Sequence, residues 1–244
     1  MIARYQSFFI LSGLLFLFLS AQDLRAETLY DDAVIPKNEQ VYLENFARGV
    51  LDKTTAFWTP VFEQHQITYN APNMVFFAQR IDTPCGTGTE ADGPFYCPND
   101  RTIYVDLKYL YMFKTRKTAQ DDFAPVYAIA HEAAHHVQNS WGILSALENL
   151  PQNIRDRDAN DIPKNVELMA DCLAGVWAAG QGSHLTNAVM TGGIEAAQQF
   201  GTGAKVFDVE LDKTSHGSLA MRQKWFKRGY TTRDMKSCQT FPAQ

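Results

Sequence analysis

The sequence His-Glu-Ala-Ala-His at residues 131–135 constrains this chain more than any other feature, because it lies in a run that is otherwise almost wholly apolar. On an α-helix, residues four positions apart share one face, so His131 and His135 can bind the same metal ion. Glu132 lies beside them, where its carboxylate can take a proton from a metal-bound water. Two imidazoles buried without polar partners are costly, and a metal ion satisfies both. The motif therefore predicts a buried helix that binds one zinc ion, and it favours a hydrolase.

A catalytic zinc site needs a third protein ligand and one position open to water. Glu167 is the best candidate, because it lies 32 positions after His135 on a second apolar helix, where a lone carboxylate is costly. Asp171 follows one turn later on the same face, where it can accept the second ring N–H of a zinc-bound histidine. Two carboxylates on one apolar face repel each other unless a cation or a donor lies between them. This pair therefore strengthens the prediction of a metal site.

The expected chemistry is hydrolysis of an amide bond. Zinc lowers the pKa of its bound water to about 7, and Glu132 accepts the proton and passes it to the leaving amine. Zinc and a nearby donor stabilise the oxyanion of the tetrahedral intermediate. His216, just before the last predicted helix, is the leading donor candidate, followed by Arg222. The alternative for His216 is a loop histidine near a helix start.

Three other histidines are not assigned to the metal. His136 points about 100° away from His135 on the helix and is predicted to be a packing or surface residue. His65 is assigned to the end of a helix, and His184 to a loop that contains Gly and Ser.

Hydrophobic periodicity predicts a mainly α-helical chain with a small β-sheet, an α+β fold. Two helices are predicted before the motif, at residues 38–51 and 54–64. Two strands are predicted at residues 74–78 and 102–107, with a short strand between them at residues 95–96. Because the sheet directly precedes the motif helix, its edge can hold an extended peptide by backbone pairing. The alternative is a sheet that only covers the helices.

The motif helix carries its own start and stop signals. Asp121 or Asp122 can serve as its N-cap. Pro125 is expected in the first turn, where its missing N–H costs nothing, and Gly142 is expected to end the helix.

A polar stretch at residues 151–164 is predicted to be a solvated loop. Asn165 is expected to cap the helix that follows. Two more helices are predicted, at residues 193–200 and 218–227.

The N-terminus has the layout of a secretory signal peptide. Arg4 is followed by an apolar run at residues 8–19, and cleavage is expected after Ala26. The run is shorter than the about 20 residues that a membrane span needs. Export to the periplasm or the exterior is therefore expected, with residues 27–244 as one zinc metallopeptidase domain. The alternative is an uncleaved anchor at the inner membrane, and no other membrane contact is expected.

The four cysteines suit an exported protein, because disulfides persist in oxidising compartments. Cys85 and Cys97 flank a Gly-rich segment and are expected to close it as a disulfide, which leaves Cys172 with Cys238. The alternative is that Cys172 is a free buried thiol. The mild net charge of −5 argues against a nucleic-acid partner, which usually needs a basic patch.

Four segments together resemble the bacterial putative neutral zinc metallopeptidases. They are GPFYCP at residues 93–98, HEAAHHVQ at 131–138, ELMADCLAGVW at 167–177 and HGSLAMRQKWF at 216–226. The resemblance covers roughly residues 41–238, in the right order. It implies a zincin-like fold, zinc bound by His131, His135 and Glu167, and Glu132 as the catalytic base. Many members look exported or membrane-anchored, which agrees with the N-terminus.

The leading hypothesis is therefore an exported zinc peptidase that acts on peptides or proteins. A catalytically idle, zinc-stabilised binding or chaperone-like protein is the first alternative, although such a protein has no need of Glu132. A zinc amidase acting on cell-wall peptides is the second, because the same chemistry hydrolyses other amides.

Overall fold

The computed structural model describes residues 35–158, 161–182, 185–200 and 216–241. The predicted signal peptide and His184 lie outside the described residues. The helices are α1 (Lys37–Glu63), α2 (Leu107–Arg116), α3 (Ala119–Ser140), α4 (Ile143–Glu148), α5 (Gln152–Arg157), α6 (Asp161–Gly180), α7 (Asn187–Phe200) and α8 (Leu219–Thr232). The strands are β1 (Asn73–Phe77), β2 (Arg80–Thr83), β3 (Gly86–Thr89), β4 (Phe95–Cys97) and β5 (Thr102–Asp106). The predicted fold, mainly α with a small sheet, is confirmed.

The main sheet has the order β1-β5-β4, with β1 parallel and β4 antiparallel to β5. These three strands match the predicted ones closely. The hairpin of β2 and β3 was not predicted, because its short strands contain Gly86 and Gly88 and lack an apolar alternation. A disulfide between Cys85 and Cys97 closes the segment that contains β3 and β4, as expected.

Helix α1 is one continuous helix, whereas two were predicted. Asp52 and Lys53, which interrupt the apolar pattern, lie on its exposed face and do not break it. Pro60 lies in the last turn, where the helix accommodates it and continues to Glu63. Among the described residues, no helix is long and apolar enough to cross a membrane.

Helix α3 begins earlier than predicted, so the assignment of Asp121 or Asp122 as N-cap was wrong. The N-cap is Thr118, whose hydroxyl accepts a hydrogen bond from the backbone N–H of Asp121. Pro125 therefore lies in the second turn and not in the first. The helix ends at Ser140, close to the predicted stop at Gly142, which has a φ of +79°.

The segment at residues 151–164 was wrongly predicted to be a loop. It contains α5 and the first turn of α6, and Asn165 lies inside α6 and does not cap it. Arg155, Asp156 and Asp161 are exposed on these helices, and Lys164 pairs with Asp161 three residues earlier. Helix α2 was not predicted either. It follows β5 directly, and the carboxylate of Asp106 caps it by accepting from the backbone N–H of Lys108.

Helices α6 and α8 cross at very short range through two glycines. A Cβ atom added to Gly229 would lie 1.9 Å from the carbonyl oxygen of Cys172, and one added to Gly175 would lie 2.1 Å from that of Phe226. The second predicted disulfide, between Cys172 and Cys238, is present and joins α6 to the turn after α8. This contact fixes the position of the α8 side chains against α6.

Candidate active site

The helices α3 and α6 bring His131, His135 and Glu167 together in the protein interior. All three side chains are nearly inaccessible to solvent. The Nε2 atom of His131 lies 2.9 Å from Oε2 of Glu167 and 3.2 Å from Nε2 of His135. The Nε2 atom of His135 lies 3.4 Å from Oε1 of Glu167. The two imidazole nitrogens and the Glu167 carboxylate therefore converge, with one ligand atom from each residue within 4.8 Å of the others.

These distances fit a zinc ion. In a tetrahedral site with bonds of 2.0 to 2.1 Å, neighbouring ligand atoms are separated by about 3.3 Å. The three observed separations of 2.9, 3.2 and 3.4 Å lie close to this value. Oε1 of Glu167 is buried and has no hydrogen-bond partner in the described part of the chain, which is costly unless a cation binds it. Two imidazoles and a carboxylate are also a common zinc donor set.

The opposite ring nitrogens of both histidines face acceptors. Nδ1 of His131 lies 2.9 Å from Oδ1 of Asp171, the contact expected from the sequence. Nδ1 of His135 lies 2.9 Å from Oε1 of Gln138. The Gln138 amide is itself oriented, because its Nε2 donates to the carbonyl of Val166 at 2.8 Å. In the tautomer with the proton on Nδ1, which these acceptors favour, each Nε2 directs its lone pair at the shared point.

Gln138 was not predicted to take part in the site. The available signal was a lone amide in an apolar run, three positions after His135 and therefore within reach of it on a helix. Like Asp171, it orients one of the candidate zinc ligands.

Glu132 lies in α3 beside this cluster. It lines a small cavity, of about 30 Å³, together with His131 and His216. The cavity can hold one or two water molecules. The Oε2 atom of Glu132 is buried and has no hydrogen-bond partner among the described residues. Burial raises the pKa of this carboxyl, although the charges of the two histidines oppose the shift. A carboxylate with a raised pKa and an oxygen that has no hydrogen-bond partner is suited to proton transfer.

His216 reaches the cluster from the turn before α8. Its Nε2 atom lies 3.5 Å from Oε2 of Glu167, and the residue is 9 % exposed. Burial lowers the pKa of its imidazole to about 4. The structure therefore places His216 at the site, where its ring nitrogen can meet a bound substrate.

Arg222 also lies at the site but is occupied by other partners. Its Nε donates to Oδ2 of Asp171 at 3.0 Å, and its Nη2 donates to Oδ1 at 3.1 Å. The same Nη2 donates to the hydroxyl oxygen of Tyr127 at 2.8 Å. Because the guanidinium of Arg222 is hydrogen-bonded to Asp171 and Tyr127, His216 is the better candidate for the donor to the oxyanion.

His136 and His65 lie apart from the cluster. Nδ1 of His136 lies 2.9 Å from the hydroxyl of Tyr96, and its Nε2 lies 2.7 Å from the carbonyl of Asn70. The prediction of a packing role is confirmed. His65 is exposed just after α1 and contacts the ring of Trp141 edge-on.

A larger cavity, of about 590 Å³, lies on the other side of α3 and α6. It is lined mainly by apolar residues such as Trp58, Trp141 and Leu173. None of the candidate zinc ligands lines it, so the chemistry belongs to the smaller cavity.

Comparison with known proteins agrees with this geometry. A family model described as "Putative neutral zinc metallopeptidase" matches residues 13–241. "Uncharacterized protein YpfJ" of Escherichia coli strain K12 is 36 % identical over 206 residues, which cover 80 % of this chain and 70 % of that protein. "Uncharacterized protein Mb2605" of Mycobacterium bovis is 32 % identical over 205 residues, which cover 77 % of this chain and 67 % of that protein. No solved structure matches the chain significantly. The chain belongs to the putative neutral zinc metallopeptidase family.

Proposed function

We propose that this protein is an exported zinc-dependent peptidase. The observation that carries the proposal is the convergence of His131, His135 and Glu167 on one point, with the vacant carboxylate oxygen of Glu132 in the adjoining cavity. An idle zinc-binding protein would need only the three ligands. The buried carboxylate of Glu132 is costly and has a use only if a proton is transferred.

Zinc, when bound by these three residues, supplies a Lewis acid that polarises a carbonyl group and makes water more acidic. Glu132 accepts a proton at Oε2 from the attacking water as the oxygen–carbon bond forms. It then transfers that proton to the amide nitrogen as the carbon–nitrogen bond breaks, so that one carboxyl and one amine product leave. His216 donates a ring N–H to the developing oxyanion.

Asp171 and Gln138 hold the histidine rings during this cycle. An oxygen of each lies 2.9 Å from the Nδ1 atom of one histidine, where it can accept the ring proton. The rings therefore stay in the orientation that the metal requires, and their tautomers are fixed. Such partners typically change metal affinity or activity by about 10- to 100-fold.

Export is part of the proposal. Two disulfides, Cys85–Cys97 and Cys172–Cys238, support folding in an oxidising compartment, since cytosolic thiols are normally kept reduced. The apolar run at residues 8–19 supports a signal peptide, with the periplasm or the exterior as destination.

Removal of the metal tests the proposed activity. Zinc-loaded protein is incubated with an unfolded protein, and the new N-termini are identified by mass spectrometry. We expect cleavage of peptide bonds that stops when the metal is chelated and returns when zinc is added, because zinc supplies the Lewis acid that polarises the carbonyl group.

Three outcomes would contradict the proposal. Cleavage that persists at full rate in excess chelator would exclude a zinc mechanism. If the zinc-loaded protein cleaved only peptides from the cell wall, in a parallel incubation, the amidase alternative would replace the peptidase. If it cleaved neither substrate, the idle binding protein would be favoured.

A further inference from the structure

Asp171 is held by a buried network that extends beyond the candidate zinc ligands. Its Oδ1 lies 2.9 Å from Nδ1 of His131, accepts from the Tyr127 hydroxyl at 2.5 Å and accepts from Nη2 of Arg222 at 3.1 Å. Its Oδ2 accepts from Nε of Arg222 at 3.0 Å. Tyr127, Asp171 and Arg222 are 2 %, 0 % and 5 % exposed. Both carboxylate oxygens are therefore engaged in a dry environment.

The network closes on itself, because Nη2 of Arg222 also donates to the hydroxyl oxygen of Tyr127 at 2.8 Å. That contact fixes the direction of the Tyr127 O–H, which must then point at Asp171. The Asp171 carboxylate accepts hydrogen bonds from a guanidinium and from a phenol. It therefore cannot rotate about its Cβ–Cγ bond without breaking several of them. The position of Oδ1 against the His131 ring is therefore set by Arg222 and Tyr127.

The charges of the buried carboxylates also indicate a role for Arg222. Glu167 and Asp171 place two carboxylates on either side of the His131 ring. A buried negative charge is costly unless it is paired, and Arg222 pairs with Asp171 while Glu167 remains available for a metal ion. Without the guanidinium, Asp171 would compete with Glu167 for the positive charge at the site.

The network is also distributed over the three helices that build the site. Tyr127 lies four residues before His131 on α3, and Asp171 lies four residues after Glu167 on α6. On each of these two helices a network residue therefore shares a face with a candidate ligand, Tyr127 with His131 and Asp171 with Glu167. Arg222 comes from α8, which the close crossing at Gly229 holds against α6.

We propose that Arg222 and Tyr127 are positioning residues for the zinc site, acting through Asp171 to hold the His131 ring in its metal-binding orientation. The inference rests on the proposed zinc site, but not on peptide cleavage. It gives Arg222 a role different from that of an oxyanion donor, and it adds Tyr127 to the functional residues.

The test measures metal binding in four variants with matched controls. Tyr127→Phe removes one hydroxyl and keeps the ring; Arg222→Gln removes the charge, Arg222→Lys retains it, and a double variant combines Tyr127→Phe with Arg222→Gln. The controls are Tyr111→Phe on α2 and Arg228→Gln on the exposed face of α8. Zinc affinity is measured by competition with a chromogenic chelator, and the absorption spectrum of the Co²⁺-loaded protein reports the ligand geometry. Thermal unfolding of the metal-free protein reports the fold.

We expect Arg222→Gln to weaken zinc binding about 10- to 100-fold, the range typical of outer partners of metal ligands. Tyr127→Phe should weaken it by about 3- to 10-fold, because it removes a single hydrogen bond to Asp171. Arg222→Lys should recover part of the loss. The effects in the double variant should not be additive, because both residues act on one carboxylate. Both positioning variants should shift the Co²⁺ spectrum, whereas the controls should match the wild type.

A purely structural role predicts a different pattern. If Tyr127→Phe lowered the melting temperature but left the zinc affinity and the Co²⁺ spectrum unchanged, the inference would be wrong. This variant alone decides the question if Arg222→Gln does not fold. The peptidase proposal fails separately, when zinc-loaded wild type does not cleave peptide bonds, and that failure leaves the zinc affinities of these variants unaffected.

Discussion

Glu167→Ala is expected to lower the zinc affinity of this protein at least about 100-fold, more than the loss typical of a residue that only orients a ligand. The substitution removes one of three converging ligand atoms and leaves two histidines, which are too few for a stable tetrahedral site. Zinc content after dialysis and the dissociation constant from chelator competition both measure the effect. A 100-fold loss corresponds to about 2.7 kcal/mol of binding free energy.

The matched control is Glu195→Ala, which removes an exposed carboxylate from α7 and should leave zinc binding as it is. Glu167→Gln adds a second comparison, because it keeps the shape of the side chain and removes only its charge. Wild-type zinc content and affinity in Glu167→Ala would show that another residue is the third ligand.

Gly229→Ala is expected to destabilise the fold by about 3 kcal/mol, the upper end of the typical range for overpacked interiors. The added Cβ would lie 1.9 Å from the carbonyl oxygen of Cys172 and 2.9 Å from the backbone nitrogen of Val176. Backbone atoms inside α6 cannot move aside without unfolding the helix, so α8 must shift. Arg222 would move with it, and zinc binding should weaken as well. Urea unfolding of the metal-free protein measures the stability change.

Gly49→Ala is the matched control for this prediction. Gly49 lies within α1, and a Cβ added there meets no atom within 4 Å. Alanine is favoured over glycine in a helix interior by up to about 1 kcal/mol, so this variant should be slightly more stable than the wild type. Equal stability of the two alanine variants would contradict the close crossing of α6 and α8.

The candidate ligands could be identified from the sequence because helical periodicity is a local property. His131 and His135 lie four positions apart, as do Glu167 and Asp171, and each pair must share one helix face whatever the rest of the fold does. A polar pair in an apolar helix then indicates a buried partner. Only the requirement for a third zinc ligand predicted that the histidine pair faces the carboxylate pair. The structure brings His131, His135 and Glu167 together.

The residues that support the site could not be identified in the same way. Tyr127 looks like an ordinary aromatic residue of an apolar helix, and its contact with Arg222 joins positions 95 residues apart. Gln138 lies within reach of His135 on the same helix. Its position in the chain does not show, however, that its amide donates to the carbonyl of Val166. Such contacts depend on how α3, α6 and α8 cross, which the pattern of a single helix does not contain.

The errors in the fold have similar physical causes. The N-cap of α3 is Thr118 and not one of the aspartates. A threonine three residues before an acidic residue caps a helix as well as an aspartate does, so the residue types alone did not distinguish the candidates. Helix α7 was predicted to begin at residue 193 but begins at Asn187. The glycines in its first turns looked like a helix boundary, whereas they allow close contact with α3: a Cβ at Gly193 would lie 2.5 Å from the Phe123 ring. Tertiary packing overrode the local preference at this point.

We propose that Glu132 transfers the proton in zinc-dependent hydrolysis of peptide bonds. The most direct test compares wild type with Glu132→Gln, both loaded with one equivalent of zinc, on the same unfolded protein substrate. The amide keeps the size of the side chain and cannot accept the proton, so we expect the cleavage rate to fall by about 100- to 10,000-fold with zinc content unchanged. Equal cleavage by the two zinc-loaded proteins would contradict the assigned role of Glu132 and, with it, the proposed mechanism.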